Sequence, residues 1–545
     1  MAEQKSDIPS FLMEGTQRTR GRDAQRINII VALTIAESVK TTLGPMGMDK
    51  MLVDSLGDLV VTNDGATILR EVDVDHPIAK MMVEVAQTQE TAVGDGTTTA
   101  VVLAGEFLKE GGKLLDQGIH PTVISRGFRL AAEKSQEILD SLVSEISVTD
   151  NEVLRKIAVT AMTGKVAERA KDHLSSIVVK AAKAVAEDDG GGRLVINPEN
   201  IKIERKDGAG IEATEFISGI VLDKERVHAA MPSRVEQAKI LLLNFPLELK
   251  GKEGEIHFTD HVQHQAWVES RKEWIRETVQ TIKASGVSAL FTERNIDDIA
   301  QFYLAKEGIF AVRRVRGSDM EKLARATGAE IMNNLEELSS QQLGEAGHIE
   351  QVRVSRDFMV FVSGCKEPKA VSILIRGGTQ HIASEVERTI EDCLGVVSAV
   401  LEDRKIVAGG GACEIELARQ LRQFAKEIRG REQLAVRAFS EALEVIPRAL
   451  AENAGLDQID LVMELVARNE KEGSHIGLDI FDGRVKDMFA EGVVEPVRVK
   501  KQAISSASEV AMMILRIDDM IAASKIGKVP PLPGGMGMPE KMRGR

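Results

Sequence analysis

The chain is poor in cysteine, in aromatic residues and in positive charge. Its 545 residues include three cysteines, Cys365, Cys393 and Cys413. Their number is odd and no C-x-x-C spacing occurs, which argues against a disulfide framework and fits a reducing cytosol. Tyrosine occurs once and tryptophan twice, as Tyr303, Trp267 and Trp274, too few for base-stacking platforms. Acidic side chains outnumber basic ones by 84 to 70, for a formal charge of −14, so nucleic acid, which needs a basic face, is not an expected partner. No run of about 18 apolar residues occurs, and the leader Met1-Ala2-Glu3-Gln4-Lys5-Ser6-Asp7 lacks the apolar stretch of a signal peptide. The sequence therefore predicts a cytoplasmic protein with no membrane partner.

What remains is an ordinary globular composition, 43% hydrophobic and 28% charged, with enough length for about three or four domains. One stretch stands out: Gly94-Asp95-Gly96-Thr97-Thr98-Thr99. Upstream, Ile78, Met81, Met82, Val85 and Ala86 recur at helical spacing, and Val101, Val102, Leu103, Phe107 and Leu108 resume it downstream. A turn must lie between the two helices. Two glycines keep Cβ atoms away from any ligand, and the first N–H groups of the second helix, at the positive end of its dipole, suit an anion. A carboxylate beside a phosphate would be repelled unless a divalent cation lay between them, so Asp95 asks for Mg²⁺ along with a nucleotide. Taken alone, the six residues fit a plain helix–turn–helix with a threonine cap as well.

Further along, Arg22 to Thr42 reads as a buried helix ended by Leu43-Gly44-Pro45. A short hairpin around Gly57-Asp58 leads into a second acidic turn, Asn63-Asp64-Gly65. Pro121 to Leu142 predicts another helix, Ser147 to Asp150 a cap cluster, and Lys165 follows Gly164 in a helical region, either as a phosphate contact or as a solvated side chain. From Ile217 to Val362 strands and helices alternate, with buried strands at Ile240–Leu243, Ala289–Phe291 and Ile309–Val312, which predicts an inserted α/β domain. Within it, Asp260 to Ala284 is one amphipathic helix striped by Val268, Ile275, Val279 and Ile282, entered through Lys250–Gly254. It either stands clear to meet a neighbour or packs on its own domain. His261 and His264 lack the further ligands of a metal site. Ile373–Arg376 is a strand, Thr379 to Glu402 a helix carrying Asp392, and Val407 to Ala412 a third glycine turn. Gly477–Ile480 and Gly492–Pro496 read as hairpin and loop, and Lys525–Arg545 as a disordered tail.

No G-x-x-x-x-G-K-[ST] occurs, which excludes a Walker-type P-loop. Three glycine turns near Gly44, Gly94 and Gly410, with the carboxylates Asp64, Asp95 and Asp392, still supply the parts that phosphoryl transfer to water requires: phosphate donors, a metal ligand and a group to orient water. Spacing alone does not bring residues 64, 95 and 392 together. An ATP-driven machine, a passive nucleotide-binding assembly and a small-molecule kinase or ligase all remain open at this point.

Thr42-Leu43-Gly44-Pro45, Val61-Thr62-Asn63-Asp64-Gly65-Ala66-Thr67-Ile68-Leu69, Gly94 to Thr99, Val407 to Gly411 and Gly492 to Pro496 occur in this order, and together they resemble the group II chaperonins, the family of the archaeal thermosome and the eukaryotic cytosolic chaperonin. The likeness runs from about Gly15 to Ser524. It implies a multi-domain α+β subunit of three domains: a mainly helical equatorial ATPase domain from residues 1–147 and 405–524, a small α/β intermediate domain from 148–216 and 369–404, and an inserted α/β apical domain over 217–368, whose helical protrusion at about 250–284 forms a built-in lid. By motif position, Asp95 would hold Mg²⁺, and Gly96, Thr97, Thr98 and Thr99 would bind the phosphates of ATP with Leu43, Gly44, Pro45 and Gly94 beside them. Asp392 matches the water-activating aspartate, Asp64 assists it, and Lys165 matches the lysine that senses the γ-phosphate. Gly409, Gly410, Leu478 and Glu495 would surround ribose and adenine. The implied partners are identical or homologous subunits, eight per ring in a double ring, and non-native client proteins.

Overall fold

The structure, a computed structural model, describes residues 17–53, 57, 59–72, 74–248, 261–335 and 338–522. Its first core is helical and draws on both ends of the chain. The helices Gly21–Lys40, Pro77–Val93, Thr97–Asp116 and Pro121–Ser141 pack with Ala412–Glu427, Glu432–Leu443, Val445–Asn453 and Val497–Leu515 around Phe107, Phe128 and Phe439. Phe107 and Phe439 stack at 4.1 Å between ring centroids, with Phe128 edge-on to Phe439, a geometry that favours aromatic contacts beyond their buried area. Thr97–Asp116 is the central member. Its apolar residues run all round the helix, as a helix enclosed on every side requires.

A second core joins the helices Asn151–Met162, Lys171–Ala184 and Gln380–Asp403 to a three-stranded sheet. In that sheet Val371–Gly377 lies between Ile201–Asp207, to which it is parallel, and Glu215–Ile217. The chain thus leaves this layer after residue 217 and re-enters it beside the strand it left.

Between these points lies a seven-stranded mixed sheet. Phe310–Val312, Ala289–Thr292 and Arg234–Leu243 are parallel neighbours, and Gly344–Val354, Asp357–Ser363 and Gly219–Leu222 continue it antiparallel. Ile331–Met332 adds to Arg234–Leu243. Two apolar clusters cover its faces, which is why its central strands read as continuous apolar runs. Of the striped helix, His261–Ala284, the C-terminal half packs on this sheet through Ile275, Val279 and Ile282, and Trp274 remains exposed. Lys250–Gly254, the side chains of His261, His264 and Val268, and the tail Lys525–Arg545 lie outside the described residues.

Two expectations change. Gly164 and Lys165 occupy a turn after the helix Asn151–Met162, with Gly164 at φ +81°. Part of the Gly492–Pro496 loop is a strand, Val494–Pro496, paired antiparallel with Lys405–Ala408. Its apolar residues alternate with Glu495 over only three positions, too short a pattern to read from sequence.

Candidate functional site

Three turns interlock at one end of the helical core. Asp64 caps the short helix Gly65–Glu71, accepting from the Thr67 N–H at 2.8 Å, and also accepts from the Thr97 hydroxyl at 3.1 Å. Asn63 Nδ2 donates to the Gly164 carbonyl at 2.8 Å. A Cβ on Gly164 would stand 2.6 Å from Pro45 Cα, so only glycine lets the Lys165 turn close on the Gly44-Pro45 turn. Asp95 accepts from the Gly96 N–H at 2.8 Å. Gly96, left-handed at φ +79°, starts the helix Thr97–Asp116 with no capping side chain among the described residues, and the first N–H groups of that helix stay available to an anion.

These turns wall a cleft that opens to solvent. Of the expected site residues, Leu43, Gly44, Pro45, Asp64, Asp95, Gly96, Thr97, Thr98, Thr99, Lys165, Gly410, Leu478 and Glu495 line it. Gly94, Gly409 and Asp392 are not among the lining residues, although Gly94 and Gly409 adjoin Asp95 and Gly410 in the chain. Gly94 closes the helix Pro77–Val93 at φ +78°, and a Cβ there would meet the Asp392 carbonyl oxygen and Gly395 Cα at 3.2 Å. Asp392 reaches the cleft through Lys165, whose Nζ donates to its carboxylate at 2.6 Å.

The charges explain one another. Burial works against the Lys165 ammonium, but Asp392, Asp95 and Asp64 outweigh it and hold the group above the ordinary lysine range. Burial also works to raise Asp64, yet the Lys165 charge and the bonds from Thr67 and Thr97 hold it below the usual carboxylate range. Asp392 goes the other way. Burial pushes it well up, Lys165 opposes, and the Asp64 and Asp95 charges add to the rise. Two carboxylates at one lysine are thus driven apart, the pattern by which a site separates a charged group from a proton acceptor.

At another wall Glu495 pairs with Lys500 at 2.7 Å, and Lys500 with Glu414 at 2.9 Å. Lys500 and Glu414 were not among the expected site residues. Lys500 falls on the buried face of its helix between Val497 and Ile504, and a lysine interrupting an apolar stripe is the signal that finds it. Gln89 was missed similarly. It continues the stripe Met82, Val85 and Ala86 of its helix, is fully buried, and donates to the Asp95 carbonyl at 2.8 Å and the Val499 carbonyl at 3.2 Å.

The donor set fits a magnesium nucleotide. Among the described residues no group of three or more His, Cys, Asp or Glu could hold a metal ion by itself. Asp95 beside an uncapped helix start suits Mg²⁺, which takes one or two carboxylates and fills its remaining positions with phosphate oxygens and water.

Residues 35–525 match the TCP-1/cpn60 chaperonin family. A thermosome subunit of Methanopyrus kandleri is 60% identical over 520 residues, 95% of each chain. One from Pyrococcus horikoshii is 57% identical over 95% of this chain and 94% of its own. The open-state monomer of a group II chaperonin from Methanococcoides burtonii is similar with a TM-score of 0.58 at 46% identity, over 78% of this chain and 100% of that one. No helix among the described residues is long and apolar enough to cross a membrane.

Proposed function

The chain belongs to the TCP-1/cpn60 chaperonin family, and from that premise we propose that it is a subunit of a group II chaperonin that hydrolyses Mg-ATP to drive the enclosure and folding of non-native proteins. The observation that carries the hydrolytic part is the convergence of Asp64, Asp95 and Asp392 on the Lys165 ammonium, beside an uncapped helix start.

In this reading Thr97, Thr98 and Thr99 bind phosphate oxygens through backbone N–H groups and hydroxyls, and Gly44, Gly94 and Gly96 let the backbone approach. Leu43 and Pro45 line the same wall, and Gly409, Gly410, Leu478 and Glu495 form the ribose and adenine end. Asp95 holds Mg²⁺, which supplies charge neutralisation at the phosphates. Asp392 takes the proton of the attacking water. Its buried carboxyl is more basic than a solvated one, which suits a general base. Asp64, kept charged, orients that water. Lys165 holds Asp392 in place and faces the terminal phosphate.

The second core carries Lys165 and Asp392, and the first carries Asp64, Asp95 and the threonines. Movement between the two cores would therefore switch hydrolysis on and off, the gating expected of a machine that couples chemistry to closure. We assign the helical core to the equatorial domain, the three-stranded layer to the intermediate domain and the seven-stranded unit to the apical domain with its lid helix. Such subunits would form a cytoplasmic double ring of eight per ring, a locale that three buried free cysteines suit.

Client refolding by the assembled protein, with and without ATP, tests the reading. Refolding that needs hydrolysable ATP supports it, and equal yields with no nucleotide point to a passive holding assembly instead.

A further inference from the structure

Glu385 is a buried acid, 4% exposed, on the helix that carries Asp392. It lies seven residues, about two turns, before Asp392 on the same side of that helix. Its Oε2 accepts from Arg388 at 2.7 Å, and its Oε1 from the Thr62 hydroxyl at 3.1 Å. The first bond is a within-helix pair that a solvated glutamate would make equally well. The second reaches across to the other core, to the last residue of the strand Leu59–Thr62 that leads into the Asp64 turn.

Thr62 has a second bond. The Asp64 N–H donates to its Oγ1 at 3.1 Å. With the hydroxyl proton committed to Glu385, the oxygen is left to accept from Asp64, so the carboxylate decides which way the hydroxyl faces. Asp64 then accepts from the Thr67 N–H and the Thr97 hydroxyl. Three hydrogen bonds thus run from the Asp392 helix through Thr62 and Asp64 to the start of the helix Thr97–Asp116. Burial raises the Glu385 carboxyl above its usual range against Arg388, Thr62 and Lys165, so its place under Thr62 costs stability that a surface glutamate would not lose.

We propose that Glu385 is a positioning residue for hydrolysis, registering the Asp392 helix against the Asp64 turn through the Thr62 hydroxyl. The proposal rests on the ATPase reading above. It implies that Glu385 acts on turnover and leaves nucleotide affinity alone, because it touches neither the cleft lining nor the phosphate loop.

The test uses the full chain, with steady-state ATP turnover, nucleotide affinity and thermal midpoint measured together. Glu385→Ala is expected to lower kcat about tenfold while KM changes less than about twofold, the signature of lost alignment. Glu385→Gln keeps an acceptor oxygen for Thr62 and is expected to recover most of that loss. Thr62→Val, close in shape but without the hydroxyl, is expected to match Glu385→Ala, and the double variant to be no slower than either single one. Full turnover in Glu385→Ala, a loss in Glu385→Gln equal to that in Glu385→Ala, or losses that multiply in the double variant would each overturn the proposal. If Glu385→Ala fails to fold, Thr62→Val decides alone by the same kcat criterion. A wild-type chain that binds ATP without turning it over overturns the ATPase reading and this proposal together, whereas an active wild type beside an unaffected Glu385→Ala overturns only the latter.

Discussion

Two buried lysines stand at the cleft, and they are buried on different terms. Lys500 sits between two glutamates, Glu414 and Glu495, at 2.9 and 2.7 Å, and the helices that carry Lys500 and Glu414 belong to the same core. Lys165 bonds one carboxylate, Asp392, carried like itself by the second core, and faces Asp64 and Asp95 across the boundary in the first. The Lys500–Glu414 pair is closed within one packed body, and Glu495 stands five residues before Lys500 on a strand whose Val494 packs in the second core. The Lys165 cluster is completed only when two bodies meet. A charge cluster inside one core can do little except hold its shape, whereas one divided between cores responds to their relative position, and the second arrangement suits a step that must await a conformational change.

The largest effect is expected from Asp392→Ala in the divided cluster. Turnover of ATP is expected to fall by about 10²–10⁴-fold, the usual contribution of a general base, with nucleotide affinity retained. Unchanged turnover would remove Asp392 from the chemistry. Lys500→Met comes next and should act on stability, because it leaves two buried carboxylates facing each other without a counter-charge. The expected loss is about 3–5 kcal/mol in denaturant unfolding of the assembled protein. Lys165→Met should cost less stability, since burial already pushes Asp392 towards its neutral form, and more turnover. If the two lysine variants behave alike, the distinction between a closed and a divided cluster fails.

Smaller effects sharpen the picture. Asp95→Ala is expected to raise the Mg²⁺ concentration needed for half-maximal turnover by at least about tenfold, comparable to the loss of other groups that support a bound metal, and a metal titration of initial rates checks it. The last prediction concerns pH. A base with a raised pKa loses its free form as pH falls through that raised value, so the acid limb of kcat should have its midpoint above the ordinary carboxylate range. Asp64, shifted the other way, stays charged through the same interval, so nucleotide affinity should hold where turnover is already declining. An acid limb centred at the ordinary carboxylate value would place the titrating group elsewhere.

Much of the architecture was legible because long periodic segments carry strong signals. The helices flanking Gly94–Thr99 and the buried strands Ala289–Thr292 and Phe310–Val312 appear where their apolar spacing places them. Short elements were legible where a turn signal marked them, as in the hairpin of Lys50–Val53 with Leu59–Thr62, and not where neither a turn nor a period did. Val494–Pro496 is a strand because Lys405–Ala408 offers it a hydrogen-bonding edge, and Gln17–Arg20 pairs with Asp519–Ala522 across nearly the whole chain. The residues that support the site divide in the same way. Lys500 and Gln89 announce themselves as polar side chains on apolar helical faces. Glu385 does not, since Glu385, Glu387, Arg388 and Glu391 on its helix form a charged pattern in which one buried acid looks like its solvated neighbours.

The order of residues alone set the local chemistry: where helices begin and stop, which turns need glycine, and which stretches carry carboxylates next to phosphate-binding backbone. These follow from the conformational limits of single residues and from the periodicity of apolar side chains. It took the packing of the cores to bring Asp64, Asp95 and Asp392 to one lysine, to make Asp392 a stronger base and Asp64 a weaker one, and to join them to Glu385 through Thr62. Those outcomes depend on burial and on distances between segments hundreds of residues apart, and such distances arise only when separate cores pack.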